Sequence, residues 1–323
     1  MRKGLFHGLI SKTVAVFAAV VMLACTTGMV LAGHPNARGT EAADKPDRVG
    51  EREYKFLIQP GERISSAEER FREVWRRVKS SAAKNGYAII ERRNYPLTLE
   101  RSAKEYFDTR DQALWRAGYV LRVTTPHEGR KPDAMVNVTI KAIHEDASRT
   151  LNTPLTVVGA QKVRVGAEEN IGFVPGGKLG SYIEKGVSFN TALESLGKFT
   201  LGDFGRFMPE LLDLGLPPQT ALVGTKVFSY SVKPGAIALP GVKPCEVTME
   251  AWSTTENGVP EIYDFSFGYK MGDSQVASQT QAAAEQFMIR VLEDGLSEWH
   301  APAEGKWGGS KVRRLMNRPV AAR

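Results

Sequence analysis

Two cysteines in 323 residues are too few for a disulfide framework. If the segment ahead of Gly33 is removed on export, Cys245 is the one thiol left and no intramolecular bridge can form. Its apolar neighbours predict a packed small residue, not a nucleophile. Histidine is also scarce: there are five in the chain, and His34, His127, His144 and His300 are scattered without ligand spacing, which excludes a histidine-held zinc centre. A strong charge excess is missing as well. The formal charge is +7, and loss of Arg2, Lys3 and Lys12 with residues 1–32 leaves +4, too little for a nucleic-acid footprint. Gly172 to Lys178 fits G-x-x-x-x-G-K, but Leu179 stands where a metal-holding hydroxyl is needed and no buried strand leads in, so a phosphate loop is excluded too.

Hydrophobic residues make up 42% and charged residues 24% of the chain, an ordinary globular balance with material for a sizeable core. Met1 to Lys12 is basic, Thr13 to Ala32 carries no charge, and Val30-Leu31-Ala32 offers small residues before Gly33. That is the pattern of a signal peptide over 1–32, which predicts an exported, periplasmic or secreted protein. An uncleaved membrane anchor, or lipid attachment at Cys25, are the alternatives. Residues 33–50, with Pro35 and Pro46, read as a flexible linker, and the folded domain is expected over 51–299. Lys306, Lys311, Arg313, Arg314, Arg318 and Arg323 follow with no acid after Glu304, so 300–323 reads as a disordered basic tail that contacts anionic surfaces or simply solvent.

Within the domain, Ser66-Ala67-Glu68-Glu69 is a capping box ahead of Phe71, Val74, Trp75 and Val78 at helical spacing, and Asn85-Gly86 ends that helix. A second long helix is expected from Ser278 to Trp299. Alternating runs predict strands at Glu51 to Ile58, Tyr119 to Thr125, Val136 to Ile143, Gln161 to Glu168, Val223 to Val232, Cys245 to Trp252 and Glu261 to Lys270, with one or two more between Tyr87 and Asp108. Residues 171–218 are Gly-rich and read as an insertion between strands. Trp75, Trp115, Trp252 and Trp299 sit at apolar positions and are expected in the core. The fold class is α+β, a closed or nearly closed eight-stranded antiparallel β-barrel forming a tunnel with flanking helices.

Side chains alternate along a strand, so Glu51-Arg52-Glu53-Tyr54-Lys55 puts Glu51, Glu53 and Lys55 on one face and Arg52, Tyr54, Phe56 and Ile58 on the other. Continued through the later strands, the polar face carries Glu51, Glu53, Lys55, Arg122, Lys141, Arg164, Glu168, Glu246, Glu250 and Asp264. In a dry lumen such a set costs several kcal/mol per ion. Mg²⁺ or Mn²⁺ on the acids and phosphate oxygens on the bases would offset that cost. The other reading is an open, wet sheet whose charges face water.

Three strings then resemble the CYTH family of triphosphate tunnel metalloenzymes: Glu51 to Lys55, the stretch Glu105-Tyr106-Phe107-Asp108-Thr109-Arg110-Asp111-Gln112-Ala113-Leu114-Trp115-Arg116-Ala117-Gly118-Tyr119-Val120-Leu121-Arg122-Val123, and Val138-Thr139-Ile140-Lys141. The likeness is good from Glu51 to about Ala142. It implies an eight-stranded antiparallel tunnel holding a triphosphate with a divalent metal. Glu51 and Glu53 would be metal ligands, and Lys55, Arg122 and Lys141 would hold phosphate oxygens and carry catalysis. The same logic extends the metal set to Glu168, Glu250 and Asp264, and the substrate set to Arg164 and Lys226. The implied activity is hydrolysis of inorganic triphosphate, polyphosphate or a small organic phosphate. Export argues against nucleotide-dependent members. The second half departs from the pattern: Thr225 to Tyr230 supplies only Lys226, and Glu261 to Phe267 has aromatics where acids are expected. A catalytically weak barrel that captures polyphosphate or another anion is therefore the alternative.

Overall fold

The computed structural model describes residues 48–60, 66–92, 97–128, 131–271, 278–301 and 310–316. The export segment 1–32, most of the linker, the turn at Asn94 to Pro96 and the ends of the basic tail lie outside them. Twelve strands follow in chain order: β1 (Glu51–Ile58), β2 (Ile89–Glu91), β3 (Glu100–Asp108), β4 (Tyr119–Glu128), β5 (Lys131–Pro132), β6 (Met135–Ala142), β7 (Gln161–Val174), β8 (Lys178–Ala192), β9 (Val223–Val232), β10 (Gly235–Ile237), β11 (Cys245–Ser253) and β12 (Ile262–Lys270).

Nine of these strands close a ring in the order β12, β1, β7, β8, β6, β4, β3, β9, β11 and back to β12. The expected eight antiparallel strands are thus nine, and β1 pairs with β7 in parallel. Up-and-down alternation cannot return to its start in an odd ring, so at least one like-directed pair is unavoidable. The ninth strand is β8, drawn from the stretch expected to be an insertion. Ile171 to Val174 finishes β7, and the Gly-rich turn with Gly176 and Gly177 at positive φ closes a β7–β8 hairpin. The true excursion between β8 and β9 is Leu193 to Leu222, whose Leu196, Leu201, Phe204, Met208 and Leu211 pack on the outer wall against Phe107, Val138 and Phe189.

The outward row of β1 behaves as its alternation predicts. Tyr54, Phe56 and Ile58 are buried against Phe71, Val74, Trp75 and Val78 of the helix Ala67–Lys84 and against Phe287, Met288 and Val291 of the helical run from Ser278. Fully burying an aliphatic or aromatic side chain of this size stabilises by about 1.5–3 kcal/mol, so this seam is a main source of the domain's stability. The long helix starts where the capping box places it: Ser66 Oγ accepts from Glu69 N at 3.2 Å, and the last turn ends at Asn85 with Gly86 at φ +77°. No helix among the described residues is long and apolar enough to cross a membrane.

Candidate functional site

With their apolar rows turned outward, the nine strands turn their polar rows inward around a cavity of about 290 Å³. Its lining carries five acids, Glu53, Glu168, Glu184, Glu250 and Asp264, and five bases, Lys55, Lys104, Arg122, Lys141 and Lys311. The closed lumen decides against the open, wet sheet. The charges neutralise one another in two clusters.

In the first cluster Lys141 Nζ donates to Glu168 Oε1 at 2.8 Å and also to Glu184. β7 and β8 place Glu168 and Glu184 directly opposite each other, so one ammonium is shared by two carboxylates. Lys141 holds Glu168 far below the usual carboxylate range, whereas burial pushes the deeper Glu184 up. Lys55 lies beside this pair and meets Glu53 at 3.0 Å. Burial works against its charge, but Glu53 and the neighbouring acids outweigh that and raise its pKa.

The second cluster is centred on Glu250, which bonds Lys104 through one oxygen and Lys311 through the other. Burial opposes its ionisation, yet the two ammoniums keep it well below its ordinary value. Asp264, the register partner of Glu250 on β12, accepts from Lys311 at 2.6 Å and is pushed up by burial. Lys104 is lowered by burial, an effect Glu250 offsets only in part. Ser229 donates its hydroxyl to Glu250.

Between the clusters stands Arg122, and it differs from the other cations. Its Nη2 donates to Thr139 Oγ1 at 3.3 Å, its Nε is buried with no partner, and among the described residues it meets no carboxylate. The neighbouring Trp252 lines the same cavity with a buried, unpartnered Nε1. Trp252 is buried in an apolar cluster with Tyr106, Val120 and Tyr182, as expected of a core residue, and one side of it also lines the lumen, with the ammoniums of Lys104 and Lys311 at 5.6 and 4.9 Å from its ring centre.

Of the residues singled out from sequence, Glu53, Lys55, Arg122, Lys141, Glu168, Glu250 and Asp264 converge on this cavity. Glu51 and Arg164 line an adjoining mouth of about 350 Å³, which shares Lys141, Glu168 and Glu184 with it. Burial, then Glu168 and Glu53, raises the pKa of Glu51. Lys226 is a correction: strand parity turns it outward, where it is half exposed and 3.3 Å from Glu105. Glu246 also lies outside, bonded to Arg92 and Lys233. The sequence reading missed Lys104, Glu184 and Lys311. The last of these corrects the expected disordered tail, because Lys311–Met316 is a helix whose first residue enters the tunnel.

The acids do not fit a metal centre as they stand. Among the described residues no three Asp, Glu, His or Cys groups converge as a divalent ion requires, and Glu168, Glu184, Glu250 and Asp264 each already hold a lysine.

No protein-family model matches the chain, and no curated protein does. Solved structures align over most of it at low similarity. A Bacillus halodurans protein proposed to be an adenylate cyclase is 12% identical at TM-score 0.39, covering 83% of this chain and 100% of its own. HpAC1 from Hippeastrum, proposed to be an adenylyl cyclase and described as having a dominant triphosphatase activity, is 10% identical at TM-score 0.40, covering 83% and 95%. PH1819 from Pyrococcus horikoshii OT3 is 12% identical at TM-score 0.34, covering 82% and 97%. At these values likeness decides neither fold nor activity. The closed tunnel and its charged lining rest on this chain's own geometry.

Proposed function

We propose that the tunnel captures a compact polyanion of the triphosphate or polyphosphate class. The observation that carries this reading is Arg122, a guanidinium lining the cavity that, among the described residues, meets the hydroxyl of Thr139 but no carboxylate. A planar fork of donors suits phosphate oxygens, and charge-assisted bonds of this kind are about twice as strong as neutral ones. Lys55, Lys104 and Lys141 surround it and can exchange a carboxylate for a phosphoryl oxygen without entering water. The resemblance over Glu51 to Ala142 points to the same ligand class.

Isothermal titration with inorganic tripolyphosphate, in chelator, tests the proposal. Binding at one site is expected, with Arg122→Met weakening it by at least about tenfold, the equivalent of one charged hydrogen bond. No binding, or binding that Arg122→Met leaves intact, refutes it.

Metal-assisted hydrolysis is the second reading. The observation in its favour is the acidic rim, where Glu51 is the register partner of Glu168 and both Glu168 and Glu53 raise its pKa. Phosphate release from tripolyphosphate with Mg²⁺ or Mn²⁺, lost in Glu53→Ala without loss of fold, would favour turnover; stabilisation by the anion without phosphate release would favour capture alone. Export to the periplasm or beyond is part of the proposal and rests on residues 1–32. Mass spectrometry of the mature amino terminus checks it.

A further inference from the structure

Glu250 and Asp264 are register partners on neighbouring strands, and both turn into the lumen. Two carboxylates side by side in a dry site cannot both stay ionised without cations. Lys104 reaches only one oxygen of Glu250. Among the described residues, Asp264 meets a single cation, Lys311, at 2.6 Å, and the same ammonium takes the second oxygen of Glu250. With side chains 12%, 11% and 3% exposed for Lys311, Glu250 and Asp264, this contact is well shielded from solvent.

The helix Lys311–Met316 is fixed in place by more than this one ammonium. Ser310 Oγ accepts from Arg313 N at 3.2 Å and Ser310 also hydrogen-bonds Tyr182. Val312 packs against the apolar end of the tunnel that includes Tyr106, Tyr182 and Trp252. The Arg313 guanidinium lies 4.2 Å from the Trp115 ring centre. An ammonium delivered by such a docked segment has a high effective concentration at the carboxylate pair, which a dissolved ion has to match.

We propose that Lys311 is a tethered counter-ion: its ammonium fills, between Glu250 and Asp264, the position that a divalent cation would have to take, so this end of the tunnel works without a metal. The inference concerns cations only and stands apart from the anion reading.

The test is a Mn²⁺ titration of the full-length protein with no anion present, followed by calorimetry and by the Mn²⁺ spin-resonance signal. Lys311→Met is expected to gain one Mn²⁺ that the parent does not hold, with affinity raised at least about tenfold. Adding Asp264→Asn to Lys311→Met removes that ion, and Lys311→Arg, which keeps the charge, never gains it. Equal Mn²⁺ binding by parent and Lys311→Met, or loss of a parent Mn²⁺ site on Asp264→Asn alone, overturns the proposal. Should Lys311→Met fail to fold, amine-reactive mass footprinting of the parent and of Asp264→Asn decides. Lys311 protected in the parent and reactive in Asp264→Asn supports the tether. Lys311 as reactive in the parent as the exposed lysines overturns it.

Discussion

Removing Lys141 tests whether the lumen charges are mutually dependent. Lys141, Glu168 and Glu184 have side chains 26%, 28% and 7% exposed, so Lys141→Met leaves two facing carboxylates partly dehydrated with Lys55 as the nearest remaining cation. Breaking a fully buried pair costs about 3–5 kcal/mol. Partial exposure and Lys55 reduce that to about 2–3 kcal/mol, or a fall in Tm of about 5–10 °C for a domain of this size. Glu184→Gln alone is expected to cost under about 1 kcal/mol, because burial already disfavours the Glu184 charge and Lys141 keeps Glu168. The double variant should recover about 1–2 kcal/mol of the Lys141→Met loss, a coupling that a double-mutant cycle resolves. Urea unfolding followed by tryptophan fluorescence supplies the four free energies. Lys141→Met within about 0.5 kcal/mol of the parent, or a double variant no more stable than Lys141→Met, refutes the reasoning.

Three further outcomes are expected. A polyanion that draws Lys141 away from Glu184, already raised by burial, raises it further; protons are then taken up on binding, and affinity increases as pH falls from 8 towards 6. Calorimetry in buffers of different ionisation heat counts those protons, and zero uptake rejects the exchange of partners. Cys245 is 1% exposed and burial pushes its thiol up to about 11, so about one molecule in a thousand is thiolate at pH 8; alkylation should wait for unfolding, and labelling of native protein at a free-thiol rate contradicts the packing. Gly118 opens β4 at φ +86°, and a Cβ there would stand 2.2 Å from the His144 ring; Gly118→Ala should cost about 1–3 kcal/mol in a thermal melt, and a neutral result rejects that backbone.

The first half of the tunnel was legible because its strands contrast sharply. Along Glu53 to Phe56 and Val136 to Ala142 charged or polar residues alternate with buried apolar ones, so the inward direction of Glu53, Lys55 and Lys141 could be read directly. β8 hides the same period. Tyr182, Glu184, Gly186 and Ser188 form one row, but the opposite row contains Lys185, which is buried and donates to the carbonyls of Leu151 and Thr153 at 2.7 and 2.8 Å. A lysine on the apolar row, and Gly180 and Gly186 on the row of Glu184, erase the contrast, which is why Glu184 was missed. Lys104 was lost in the mixed row of β3, where Ala103, Glu105 and Phe107 face the other way. Parity alone would have excluded Lys226, since it shares a side of β9 with Phe228 and Tyr230 rather than with Ser229, which reaches Glu250. Lys311 gave no local signal. Its role depends on a pair of acids about fifty to sixty residues earlier in the chain.

The odd ring has a mechanical consequence. β1 is held by eight registered pairs to β12 but by only five to β7, and like-directed pairing is slightly weaker per residue. The wall is a hoop in which two joints have only five registered pairs, β1–β7 and β9–β11, and of these two only β1–β7 is like-directed, its β7 residues lying more than a hundred positions downstream of β1. The amides of Glu51 to Lys55 that face β7 are expected to exchange with solvent ahead of the other staves, making this the line along which the tunnel would split lengthwise to admit a chain too long to thread through its ends.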